Sequence, residues 1–152
     1  MNKLLIPSAK IVPEELQNLG KLPAVIYPVN GHTVFSYIYK QYSHNCNIEV
    51  LCFENANKVH KKLEKYNDIK IIDIPELGDL AHTIYYGLNN SGPVVINFGD
   101  TIVLDIITEN KADCFYYAED YITDKWTYFE NQNGVFINIY DKNPIPSTKK
   151  EK

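Results

Sequence analysis

Apolar and polar positions along the chain fall into blocks of two kinds. Runs without helical periodicity, Lys3 to Ile6, Ile48 to Phe53, Ile69 to Ile74 and Val94 to Phe98, read as strands. Between them lie stretches with apolar residues three and four apart. Thr33 caps a predicted helix to about Tyr42, with Val34, Ile38 and Tyr42 on one face. Asn55 or Asn57 caps a second to about Tyr66, with Val59, Leu63 and Tyr66 inward and Lys58, Lys61, Lys62 and Lys65 on a solvated face. A third runs from Gly78 to Leu88, carrying Leu80, Ile84 and Leu88.

The stretch from 7 to 23 is loop-like, with a short helical piece from Glu14 to Leu19 that Gly20 ends. Ala24 to Val29 is a short apolar run, and Asn30-Gly31 signals a turn. Val94 to Phe98 is nearly all apolar, as expected of a strand covered on both faces. The order β-α-β-α-β-α-β predicts an α/β fold: a three-layer α/β/α sandwich around a mostly parallel, mixed sheet. Past Gly99-Asp100 the pattern changes. Ala112 to Ala118 reads as a strand, and Trp126 to Phe129 and Val135 to Tyr140 as a β-hairpin turning at Asn133-Gly134. The expected organisation is one domain over 1–145, with a nucleotide-binding half at 1–110, a strand-and-hairpin half at 111–145, and a disordered tail at 146–152.

At 152 residues the chain holds one domain with a real core. Apolar residues make up 45% and charged residues 22%, which argues against a disordered chain. No apolar run reaches membrane-spanning length, and the opening Met-Asn-Lys-Leu-Leu-Ile-Pro is too short for a signal peptide. A net charge of −4 argues against a nucleic-acid groove. Cys46, Cys52 and Cys114 have no CxxC spacing, which speaks against a disulfide framework and a zinc site and for thiols in a reducing cytoplasm. All 15 basic residues are lysine. With abundant Asn, Ile and Tyr, this fits an AT-rich bacterial genome. Its physical consequence is that no side chain offers the planar bidentate fork that suits phosphate.

In open α/β sheets ligands gather at the carboxyl ends of the strands. There the chain places Pro7, Ser8, Ala9 and Lys10; then Gly78 and Asp79; then Gly99, Asp100 and Thr101. A carboxylate directly after a central apolar strand must stay hydrated, paired or bound to a cation, so Asp100 is a candidate Mg²⁺ ligand; the alternative is a turn aspartate capping local N–H groups. Ser8 has no His/Asp partner nearby in sequence, which argues against a hydrolase nucleophile. His32 reads as structural or exposed. His44, His60 and His82 share no metal-ligand spacing. Tyr85, Tyr86, Tyr116, Tyr117 and Tyr121 read as core and rim packing, and Asp105 as a surface carboxylate.

The ordered set LLIPSA (4–9), KLPAVIYPVNGHTVFSYI (21–38), ELGDLAHTIYYGL (76–88) and VVINFGDTIV (94–103), with GVFINIYDKNP (134–144), resembles the nucleotidyltransferase family that makes nucleoside-diphosphate sugars and related activated alcohols. The resemblance implies the nucleotide-diphospho-sugar transferase fold. It implies attack of a sugar or polyol phosphate on the α-phosphorus of a nucleoside triphosphate, with Mg²⁺ as cofactor, in the cytoplasm, for surface or capsular polysaccharide precursors. It makes Asp100 the metal ligand. Pro7, Ser8, Ala9, Lys10, Gly78 and Asp79 become nucleotide-binding, and Lys21 and Lys142 the catalytic cations. A homodimer is left open.

The chain also departs from the family pattern. The family's first loop is glycine-rich and carries an arginine and a P-K lysine, whereas PSAKIVPEELQNLGKLP has one glycine and no arginine. Lys142 sits in an element with an inserted Asn143. Family domains are also longer and supply a second metal carboxylate near their end. A second reading therefore stands beside the first: a non-catalytic nucleotide-binding or oligomerisation module that kept the fold and lost the triphosphate loop. A third, a glycosyltransferase, would want a D-x-D, and Asp100-Thr101-Ile102 is not one.

Overall fold

The computed structural model describes residues 2–88, 92–103, 127–133 and 135–141. The chain divides into two compact units, Met1–Ala112 and Asp113–Lys152. The predicted strand at Ala112 to Ala118, the tail, Asp105 and Lys142 lie outside the described residues.

The first strand, β1 (Asn2–Ser8), is buried from Lys3 onward, because it is paired on both edges and covered on both faces. After it come 3₁₀ turns at Glu14–Leu19 and Ala24–Ile26. Strands β2 (Pro28–Val29) and β3 (His32–Thr33) pair antiparallel across Asn30-Gly31, both at positive φ (48° and 80°), the backbone of a tight two-residue hairpin. Helix α1 (Val34–Tyr42) starts where expected: Thr33 Oγ1 accepts the N–H of Ser36 at 3.2 Å. Then follow β4 (Cys46–Cys52), α2 (Ala56–Leu63), β5 (Ile69–Asp73), α3 (Leu80–Gly87) and β6 (Val94–Ile96).

The main sheet has the order β5-β4-β1-β6, and all its pairings are parallel. Successive residues of β1 face opposite sides. Leu4 and Ile6 pack with Ile48 and Val50 against Phe35 and Ile38 of α1 and Val59 and Leu63 of α2. Leu5 and Leu51 pack with Ala9 and Ile74 against Ile84 and Tyr86 of α3. This is the expected α/β architecture, a mostly parallel sheet between helical layers. Among the described residues no helix is long and apolar enough to cross a membrane.

Two departures from the sequence pattern have a clear local reason. Asn55 stands before α2 in the left-handed region (φ 53°) and makes no side-chain cap; its Nδ2 donates instead to the Lys21 carbonyl at 3.0 Å. The strand expected at 94–98 ends at Ile96. Buried Asn97, with its amide nitrogen turned to the carbonyls of Phe98 and Thr101 (2.7 and 3.2 Å), curls the chain into a turn closed by Thr101 N to Phe98 O at 2.9 Å.

In the second unit, β7 (Thr127–Gln132) and β8 (Val135–Asp141) form the expected antiparallel hairpin. Asn133 sits at its tip with φ 54°.

Candidate functional site

The carboxyl edge of the sheet gathers most of the sequence-predicted residues. Strand β1 delivers Pro7 and Ser8 there, and buried Ala9 follows. Ser8 Oγ accepts the N–H of Val25 at 3.3 Å, so the second 3₁₀ turn is tied to the strand end. Beside it the turn after β6 passes very close. A methyl group on buried Gly99 would lie 3.3 Å from Pro7 O, Ser8 Cβ and Ser8 Oγ. Asp100, the next residue, is exposed, and its Oδ1 accepts the Thr101 hydroxyl at 3.0 Å. The bond to Thr101 is the local one a turn aspartate makes, yet the turn itself rests on the Pro7–Ser8 end of β1.

The loop from Lys10 to Pro23 is folded on itself. Ile11 bridges Pro23, Val12 N donates to Leu22 O at 2.9 Å, Leu16 N to Pro13 O at 2.9 Å, and Gly20 N to Gln17 O at 2.8 Å. Ile11 N donates to Glu54 Oε2 at 2.9 Å, while Glu54 N donates to Ala9 O at 2.9 Å. Glu54 thus clasps the loop with both its carboxylate and its main chain. Sequence reasoning missed it. Its one signal was a carboxylate two residues past the end of β4, at the same sheet edge as Asp100. Lys10 is exposed beside this clasp. Lys21 is exposed too, and its carbonyl is anchored to the start of α2 by Asn55 Nδ2 and Lys58 Nζ, each at 3.0 Å.

Gly78 and Asp79 open α3, and both have work inside the protein. Asp79 Oδ1 accepts the N–H of His82 at 2.7 Å and is the N-cap. A methyl group on Gly78 would collide with the His82 ring at Nδ1. That ring lies edge-on to Tyr86 and places Nε2 3.4 Å from Glu76 Oε1, while its buried Nδ1 has no partner among the described residues. The Tyr86 hydroxyl is raised above the ordinary tyrosine value, first by desolvation and then by the Glu76 charge.

Further along the same edge, Cys52, His60 and Asp73 converge, although no spacing in the sequence pairs them. Asp73 is held below the ordinary carboxylate value by hydrogen bonds from His60 and, next, Cys52. A cavity of about 490 Å³ opens between α2 and the Pro28–Thr33 hairpin, with Lys58, Lys61, Lys62 and Lys65 on its rim. Among the described residues, none of the sequence-predicted site residues lines it. Pro7, Ser8 and Ala9, Gly78 and Asp79, and Asp100 follow the carboxyl ends of β1, β5 and β6 instead, where the physics of open sheets puts ligands, while Lys21 lies in the loop tied to the start of α2.

No family model matches the sequence, and no curated protein matches it. Solved structures do match the fold. One is a nucleotidyl transferase from Methanothermobacter thermautotroptrophicus, similar at a TM-score of 0.58 with 18% identity over 71% of this chain and 54% of that one. The chain therefore has a nucleotidyltransferase-like α/β fold and spans about half the length of that structure.

Proposed function

We propose that the chain is a nucleotidyltransferase domain that binds a nucleoside triphosphate at the carboxyl edge of its sheet and transfers the nucleotidyl group to a phosphorylated sugar or polyol. The observation that carries this reading is the contact of Gly99 with Pro7 and Ser8, which brings the Asp100 turn to the end of β1 in a fold shared with a nucleotidyl transferase. In the reaction an acceptor phosphate oxygen attacks the α-phosphorus, the α–β phosphoanhydride bond breaks, and pyrophosphate leaves. The protein's part is positioning and charge neutralisation. One exposed carboxylate fits Mg²⁺, which is commonly held by one or two carboxylates plus water and substrate phosphates. When bound, Mg²⁺ neutralises phosphate charge. Asp100 would hold it, while Lys10 and Lys21 act as point charges on the triphosphate. Lys142, which the resemblance makes catalytic, lies outside the described residues. The wider setting of this proposal is surface-polysaccharide precursor synthesis in the cytoplasm.

The first loop favours a second reading, a nucleotide-binding module without turnover. The N–H groups of Ile11, Val12, Leu16 and Gly20 are already spent on internal acceptors, and the Glu54 carboxylate sits on the first of them. A loop that cradles a triphosphate offers free N–H groups and positive charge.

A thermal-shift panel of CTP, UTP, dTTP, GTP and ATP, with and without Mg²⁺, tests binding, since a ligand specific for the folded state raises apparent stability. Pyrophosphate release with a set of sugar and polyol phosphates then separates the readings. Selective stabilisation with turnover supports the transferase, and stabilisation without turnover supports the module. No stabilisation by any triphosphate rejects both.

A further inference from the structure

Ser8, Cys52 and Asp73 are register partners across β1, β4 and β5, so they form one row on one face of the sheet at its carboxyl edge. Val59 and Leu63 bury α2 against that face and bring His60 down beside the outer end of the row. Cys52 Sγ lies 3.1 Å from Asp73 Oδ1, and His60 Nε2 lies 2.9 Å from the same oxygen. All three donor atoms fall within 4.8 Å of one another. The thiol is buried, while the side chains of His60 and Asp73 are 46% and 61% exposed.

We propose that Cys52, His60 and Asp73 form a binding site for a thiophilic divalent cation of the zinc class. The donor set is one sulfur, one imidazole nitrogen and one carboxylate oxygen, the types that suit zinc and its neighbours and not magnesium. Metal–ligand bonds of about 2.0–2.3 Å in a tetrahedron set donors roughly 3.3–3.8 Å apart. The two hydrogen-bonded separations are slightly shorter and the thiol and imidazole lie within 4.8 Å of each other, so side-chain adjustment without backbone movement brings the set to that spacing. Two hydrogen bonds now converge on a single carboxylate oxygen, and a cation between the three groups takes the place of the bridging hydrogens. On binding, the Cys52 S–H bond gives its proton to solvent and the thiolate takes the metal; nothing is oxidised or reduced. Three protein donors leave the fourth position to water on the exposed side of the cluster.

A nucleophilic Cys/His/Asp arrangement is a poorer account of the same atoms. There the thiol would bond the histidine base, whereas here it donates to the carboxylate and is buried. The site shares no ligand with the proposed Mg²⁺ site. Asp100 belongs to no group of three such ligands among the described residues.

Co²⁺ is the probe. Titrated into the reduced full chain, it should give a thiolate-to-metal charge-transfer absorption that saturates at one equivalent, with release of the thiol proton, and Zn²⁺ should abolish the band by displacement. Cys52→Ala should remove the band, and Cys46→Ala, a second buried thiol, should keep it. His60→Ala, on the outer side of α2, should weaken Co²⁺ binding by at least about tenfold, the lower end of what losing even an outer-shell partner costs. This variant keeps the test readable should Cys52→Ala fold poorly. A folded wild-type chain with no band, a band that persists in Cys52→Ala, or an unchanged affinity in His60→Ala each overturns the proposal.

Discussion

Gly99 lies so close to Ser8 that an added Cβ would meet both Ser8 Cβ and Ser8 Oγ at 3.3 Å, and Pro7 O at the same distance. The neighbours on that side are backbone and a buried strand end, so they have little room to give. Gly99→Ala should therefore destabilise the fold by about 1–3 kcal/mol, the usual cost of overpacking. A urea titration with a lowered midpoint and an unchanged slope would show it. Full stability in that variant would mean that the turn moves freely and that Asp100 is not held at the end of β1.

Asp100 carries the chemical half of the same relationship. If its carboxylate anchors Mg²⁺ beside the triphosphate, Asp100→Asn should weaken Mg²⁺-dependent nucleotide binding by at least about tenfold, or about 1.4 kcal/mol. Metal-independent binding should change much less. Calorimetric titrations with and without Mg²⁺ separate the two. An unchanged Mg²⁺-dependent affinity would leave Asp100 as a turn residue bonded to Thr101.

Gly78 and His82 make a sharper test, because the structure supplies a reason for the glycine that involves no ligand. The His82 ring fills the space a side chain at 78 would need. Gly78→Ala should destabilise the wild-type background and cost less, though still something, beside His82→Ala, which removes the ring but keeps a Cβ 2.8 Å from the added one, with a coupling in the 0.5–3 kcal/mol range typical of residues in contact. If Gly78 also admits a nucleotide base, the double variant should regain stability but not nucleotide affinity. Asp79→Ala should cost about 1 kcal/mol through loss of the α3 cap, whatever the ligand does.

Much of this architecture was readable from the chain. The apolar runs around Leu4 to Ile6 and Val50 and the helical spacing of Val59 and Leu63 give the parallel sheet and its covering layers, because burial on two faces leaves few polar positions. The run at 94–98 misleads on this point: β6 stands at the end of the described sheet, with Val94 and Val95 half-buried and Ile96 and Phe98 exposed. Thr33 announced its cap, and Asn30-Gly31 its turn. The rest depended on register. Cys52 and Asp73 are 21 residues apart and meet only because β4 and β5 pair in one alignment, and His60 joins them because α2 packs on that face. Glu54 and Ile11 are likewise brought together by tertiary structure alone. Gly78 looked like a ligand-approach glycine, and its packing against His82 could not be read from spacing.

The buried thiols give the last prediction, on pH. Cys52 is pushed well above the ordinary thiol value of 9.0, first by desolvation and then by its hydrogen bond to Asp73 and that residue's charge. Burial raises Cys46 in the same direction, and Tyr42 is raised above 10.0 mainly by desolvation. Each of these groups holds its proton longer in the folded state than in the unfolded chain. Below pH 9 both states keep the thiols protonated and the stability is fully present. As pH rises past 9 the unfolded chain releases its thiol protons while the folded one does not, so folding stability falls. Urea midpoints measured from pH 8 to pH 10.5 should drop steadily, and Cys52→Ala should flatten the slope. Iodoacetamide should label Cys52 slowly in the native protein and rapidly in urea, because the thiolate is the reacting form. A midpoint constant across that range, or rapid native labelling of Cys52, would show that its thiol is neither desolvated nor bonded to Asp73.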